Sequence, residues 1–215
     1  MPIRILFQGD SVTDAGRNRE NPTNLGAGYP HLLGAHLGFE YGTEYECLNR
    51  GIAGSRTKDV IKRAPTDIFD LNPDVISLLI GVNDSWIGDN SRTGTDTSLY
   101  VEDLESLLDL IKQNLPKTKI ILLEPFIVKG SLTATDQEHP GRWETCSVDV
   151  YAHAEAARKT AQKYHLPFVE LQSEFNKAIS STGDAAHWVY DGVHPAPAGH
   201  ELIKREWLKV FEEIK

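Results

Sequence analysis

Five short apolar runs, each followed by a stretch of helical spacing, constrain the fold of this 215-residue chain more than any other feature. The runs fall at residues 3–7, 45–49, 74–81, 119–124 and 166–171. They are rich in Ile, Leu and Val and too short to be helices, which suits strands buried on both faces. Between and after them, apolar residues recur at helical intervals over residues 26–38, around Val60 and Ile61, and over 99–114, 147–164, 173–179 and 196–214. In the third of these, Leu104, Leu107, Leu108 and Ile111 form one stripe. Strands alternating with helices of this length make βαβ units, and hence a parallel sheet covered on both sides. The expectation is a three-layer α/β/α, flavodoxin-like domain over 1–215 with a five-stranded parallel sheet. No repeat or linker divides the chain. Residues 89–97 and 129–143 are polar and irregular and read as loops.

In open α/β sheets, ligands sit beyond the carboxyl ends of the strands. Three strand ends here carry small polar residues: Gly9-Asp10-Ser11, Asn49-Arg50-Gly51-Ile52-Ala53-Gly54 and Gly81-Val82-Asn83-Asp84. A fourth polar block, Asp191-Gly192-Val193-His194-Pro195, precedes the last helix and can fold back over them. Together these blocks contain the parts that acyl transfer needs. Ser11 supplies a hydroxyl. His194 supplies a side-chain base, of the residue type whose unperturbed pKa lies close to neutral. Asp191, three residues earlier, can hold the imidazole in the tautomer that leaves Nε2 facing the serine. The backbone N–H groups of Ser11 and Gly54 and the side-chain amide of Asn83 can serve as donors to an oxyanion.

Each block also has a plainer reading. Asp and Ser are preferred helix caps, so Asp10 and Ser11 could simply start a helix. Asn83-Asp84 could be only a turn. Residues 51–55 lack the lysine ending and the glycine spacing of a phosphate loop. His31 and His36 are five apart and do not form a helical zinc pair, and no metal site is indicated. His139, His153 and His165 lack partners in sequence, and His200 reads as a packing residue of the last helix.

In this order, the four blocks resemble those of the SGNH (GDSL-type) hydrolase family, and they run from position 9 to 195. The resemblance implies Ser11 as nucleophile, Asp191 and His194 as its partners, and Ser11, Gly54 and Asn83 as the oxyanion hole. The stretch from Gly9 to Arg17, with Ile80–Trp86 and Glu124-Pro125-Phe126, is similar to the carbohydrate-ester branch that includes acetylxylan esterases. That branch implies a serine esterase removing a short acyl group, acetyl foremost, from a carbohydrate ester without a cofactor, and it suggests a homo-oligomer. A lysophospholipase or thioesterase, or a non-catalytic ligand-binding domain on the same fold, remains open at this point. Trp86, Trp188 and Tyr190 flank the motifs, and with Asp10 and Arg17 they are the candidates for contacting substrate.

Composition narrows the partners. The chain has 22 basic and 31 acidic residues, a net charge of −9, and no basic cluster of the kind that binds nucleic acid. The longest apolar stretch, residues 75–82, is far too short to span a bilayer, and no signal-type N-terminus is present. Cys47 and Cys146 form no disulfide framework. The expectation is a soluble, cytoplasmic protein.

Overall fold

The computed structural model describes residues 1–85 and 96–215. Its five parallel strands are β1 (Ile3–Gly9), β2 (Tyr45–Asn49), β3 (Val75–Leu79), β4 (Lys119–Leu123) and β5 (Phe168–Val169), in the order β2-β1-β3-β4-β5. The helices are α1 (Ser11–Asp14), α2 (Tyr29–Tyr41), α3 (Thr57–Ala64), α4 (Thr97–Asn114), α5 (Arg142–Tyr164), α6 (Gln172–Thr182) and α7 (Pro197–Glu212). This is the flavodoxin-like three-layer arrangement expected from the pattern. Among the described residues, no helix is long and apolar enough to cross a membrane.

Side chains alternate across a strand, so each buried strand feeds two cores. Ile5, Phe7, Leu79, Ile121, Leu123 and Val169 pack with Tyr29, Leu33 and Leu37 of α2 and with Ile203, Trp207 and Phe211 of α7. Leu6, Ile76, Leu78, Ile120 and Leu122 face the other way, against Val60 of α3, Leu104, Leu107, Leu108 and Ile111 of α4, and Ala157 of α5. Ser77 is the polar exception within β3, and it accepts a hydrogen bond from Trp207 Nε1 at 3.1 Å.

Several boundaries differ from expectation for identifiable reasons. Helix α2 starts at Tyr29 instead of 26, because Pro30 belongs in a first turn. The expected strand over 166–171 shrinks to two residues. Pro167 has no N–H to give the ladder, and the Leu171 and Gln172 N–H groups are drawn instead to the Glu124 carboxylate, at 2.7 and 2.8 Å. Helix α5 begins at Arg142, five residues before the expected start. Helix α3 runs on through Pro65–Phe69 as a wider π-type turn that periodicity does not signal. Most of the loop expected over 89–97 lies outside the described residues, and α4 begins at Thr97, two residues before the expected start, capped by Asp96, which accepts from Ser98 N–H at 2.8 Å.

What positions the site is the register. Gly9 pairs with Leu79, and Leu79 with Leu123, so β1, β3 and β4 end side by side. Between β1 and β3 the connections diverge to opposite sides of the sheet, which opens a crevice at the carboxyl edge. Ser11 leaves β1 and Asn83 leaves β3 on either side of it.

Candidate active site

The turn after β1 is built around close backbone approach. A Cβ on Gly9 would lie 2.2 Å from the Leu79 carbonyl oxygen and 2.5 Å from Thr13 Oγ1, so only glycine fits. Asp10 then caps α1, its carboxylate accepting from Val12 N–H at 3.0 Å. Ser11 is the first residue of that single turn. Within this stretch Asp10 takes the capping bond and turns inward, while Ser11 stands at the edge.

Ser11 Oγ lies 2.8 Å from His194 Nε2, across 183 positions of sequence. His194 Nδ1 lies 2.7 Å from Asp191 Oδ2. The other carboxylate oxygen of Asp191 accepts from the Val193 and His194 N–H groups at 2.9 and 2.8 Å, so the turn wraps its own acid. An antiparallel bridge between Val189 and Pro195, with Tyr190 N–H donating to the His194 carbonyl at 3.0 Å, closes this arm. An ionised Asp191 can only accept, so this arrangement can fix the proton on Nδ1 and leave Nε2 as an acceptor facing Ser11 Oγ.

The second half of the site is the loop from Asn49 to Arg56. Gly54 has φ +78°, a conformation that favours glycine. Its neighbours are tied down on both sides. Ile52 N–H donates to the Gly9 carbonyl at 3.1 Å, and Ala53 N–H to Asp14 Oδ2 at 2.9 Å. On the other side, the Ser55 carbonyl accepts from Asn83 Nδ2 at 3.2 Å. Asp84 takes the Thr57 N–H and hydroxyl at 3.1 and 3.2 Å, at the start of α3. Gly54 and Asn83, predicted from sequence as a donor pair, are thus joined through Ser55.

A cleft of about 870 Å³ opens over Ser11 and His194, and Arg17, Arg19, Glu20, Ala53 and Tyr190 are among the residues that line it. Arg17 donates from Nε to the Gly51 carbonyl at 2.9 Å, and its burial lowers its pKa. Tyr190 is exposed and stacks near His194, with ring centroids 5.9 Å apart. Two of the expected substrate contacts are corrected. Asp10 is 1 % exposed and committed to its cap, so it presents nothing to the cleft. Trp188 packs against the core formed with α2 and α7 and donates from its indole to Thr182 Oγ1 at 3.1 Å, away from the cleft. Trp86 lies outside the described residues.

Burial sets the electrostatics beneath the cleft. It pushes the Asp10 carboxyl up to about 7 and that of Asp84 up to about 6, partly offset by the N–H groups each accepts from. His200 is held down to about 4 by burial and then by the nearby His194. Its Nδ1 accepts from Tyr29 N–H at 3.1 Å, which fits a neutral packing histidine. Sequence reasoning passes over Asp14, the support role of Asp84, and Arg63. The hydrogen-bond acceptors of the Arg63 guanidinium lie 8, 54 and 55 positions away, and its local partner Asp67, four residues on, reads only as an ion pair along a helix.

Residues 7–202 match the family model described as GDSL-like lipase/acylhydrolase. The chain belongs to that family. It is 30% identical over 213 residues to an acetylxylan esterase of Geobacillus stearothermophilus, covering 96% of this chain and 92% of the relative. The crystal structure of Axe2, an acetylxylan esterase from the same organism, superposes with a TM-score of 0.80 at 29% identity, covering 98% of this chain and 96% of that one. A candidate GDSL-like lipase of Parabacteroides merdae superposes with a TM-score of 0.88 at 32% identity, covering 97% and 95%.

Proposed function

We propose that this member of the family is a serine esterase that removes short acyl groups, acetyl in particular, from carbohydrate hydroxyls. The observation that carries the reading is the unbroken chain Ser11 Oγ, His194 Nε2, His194 Nδ1, Asp191 Oδ2, with separations of 2.8 and 2.7 Å. As Ser11 Oγ attacks the ester carbonyl carbon, its proton passes to His194 Nε2. The carbonyl π pair moves onto oxygen, where the N–H groups of Ser11 and Gly54 and the amide of Asn83 receive the negative charge. Collapse of this adduct breaks the bond to the alcohol oxygen, which takes the proton from His194. Water then attacks the acyl-serine with His194 again accepting a proton, and the second collapse returns Ser11 and releases the carboxylic acid.

A hydrated alcohol is favoured over a lipid because the acetylxylan esterase of G. stearothermophilus is related along nearly its full length. The test is a panel of nitrophenyl esters of increasing chain length together with peracetylated sugars, run on wild type and on Ser11→Ala. The expected result is that acetyl esters are preferred and that Ser11→Ala loses on the order of 10⁴–10⁶ in kcat with its fold intact. Rates that rise toward long acyl chains would overturn the carbohydrate reading. An undiminished Ser11→Ala would overturn catalysis by this serine.

A further inference from the structure

The side chain of Arg63 is 15% exposed, and it reaches from α3 to the carboxyl edge of the sheet. Its Nη2 donates to the Gly9 carbonyl at 3.1 Å and to Gln8 Oε1 at 3.0 Å, while Nη1 donates to Ser55 Oγ at 2.9 Å. Its Nε faces Asp67 Oδ2 at 3.1 Å, which holds the head group from behind. Gln8 Oε1 also accepts the Gly9 N–H at 3.0 Å, and the Gly9 carbonyl also accepts the Ile52 N–H at 3.1 Å. One cation therefore grips the residues just before the nucleophile and the residue just after Gly54.

We infer that Arg63 is a positioning residue of the esterase reaction, fixing the distance between the nucleophile turn and the Gly54 donor loop. The inference rests on the esterase reading. Its physical basis is that the bonds from Ile52 N–H to the Gly9 carbonyl and from Ala53 N–H to Asp14 Oδ2 tie the loop only on the near side of Gly54, while Arg63 ties Ser55, on the far side of Gly54, to the residues that precede the nucleophile. Ser55 is the hinge between the two halves: its hydroxyl is held by Arg63 and its carbonyl by Asn83. A donor displaced by about 1 Å from the oxyanion can cost 10²-fold in rate. The planar fork of a guanidinium can serve acceptors on two segments at once, whereas a lysine ammonium acts as a single point of charge.

The experiment compares Arg63→Lys and Arg63→Ala with wild type on a nitrophenyl acetate, measuring kcat, KM and Tm. The expected result is a fall in kcat of about 10–100-fold, with KM nearly unchanged and the Lys variant folded. Millimolar guanidinium should restore part of the kcat of Arg63→Ala. The downfield proton between His194 and Asp191 should persist in the NMR spectrum, which assigns the loss to the donor loop and not to the triad. Wild-type kcat in Arg63→Lys, with only Tm lowered, would overturn the inference. If Arg63→Lys does not fold, Ser55→Ala cuts the same tie at its other end, and an unchanged kcat there would be equally fatal. Since Ser11→Ala is assayed alongside, loss of the esterase reading is told apart from loss of this one.

Discussion

The two halves of the site are built in opposite ways. The triad meets through side chains, and two short bonds connect Ser11, His194 and Asp191. On the proposed mechanism the donor loop acts through backbone, and its key N–H belongs to a residue with no side chain. Asp14, Asn83, Asp84 and Arg63 all bond to residues flanking Gly54. A side-chain device fails when one atom is removed. A backbone device has no atom to remove and can be weakened only through its supports, so damage there should be graded.

The triad should be the more fragile half. Asp191→Asn keeps the shape and can still accept the two turn N–H groups, but it no longer imposes the tautomer that frees Nε2. A loss of about 10⁴ in kcat is expected, and a loss of only a few-fold would show that His194 needs no anionic partner. On the other side, Asn83→Ala removes both an oxyanion donor and a strut under Ser55. It should lower kcat by about 10²–10³ and change KM far less, because the interaction grows in the transition state. A rise in KM at constant kcat would move Asn83 from oxyanion stabilisation to substrate binding.

The smallest effect concerns Asp10, which is buried beneath the site and feels both His194 and Asp84. Its carboxyl is raised from 3.8 to about 7, chiefly by burial. The folded state therefore binds more protons than the unfolded chain between these values, and stability falls as pH rises through that window. His200, lowered from 6.5 to about 4, works in the opposite sense. Asp10→Asn keeps a good helix cap and leaves His200 in place. Relative to wild type, its Tm should gain several degrees as pH increases from 4 to 7, each kcal/mol being worth about 2–4 °C in a chain of this size. Parallel Tm profiles for the two proteins would show that Asp10 titrates no differently folded than unfolded.

The sheet and the triad are legible in sequence for the same reason: both are carried by residue types at characteristic spacings. Apolar runs between helical stretches dictate parallel strands, and Asp191 followed three positions later by His194 closes in a turn. What sequence does not reveal is direction. Asp10 and Trp188 flank the motifs, but a capping bond turns one inward and core packing turns the other away. The length of β5 depends on Glu124, which takes N–H groups from a segment 47 positions further on. Arg63 is hidden because its meaning lies in three acceptors on two other segments, and such convergence becomes visible only after folding.

The arm that carries both Asp191 and His194 runs directly into α7, whose Trp207 and Phe211 are buried in the core beside Phe7. If the esterase reading holds, a nick or loosening of that helix should cost turnover while the sheet still stands, and activity would then be a stricter gauge of an intact molecule than any spectroscopic measure of secondary structure.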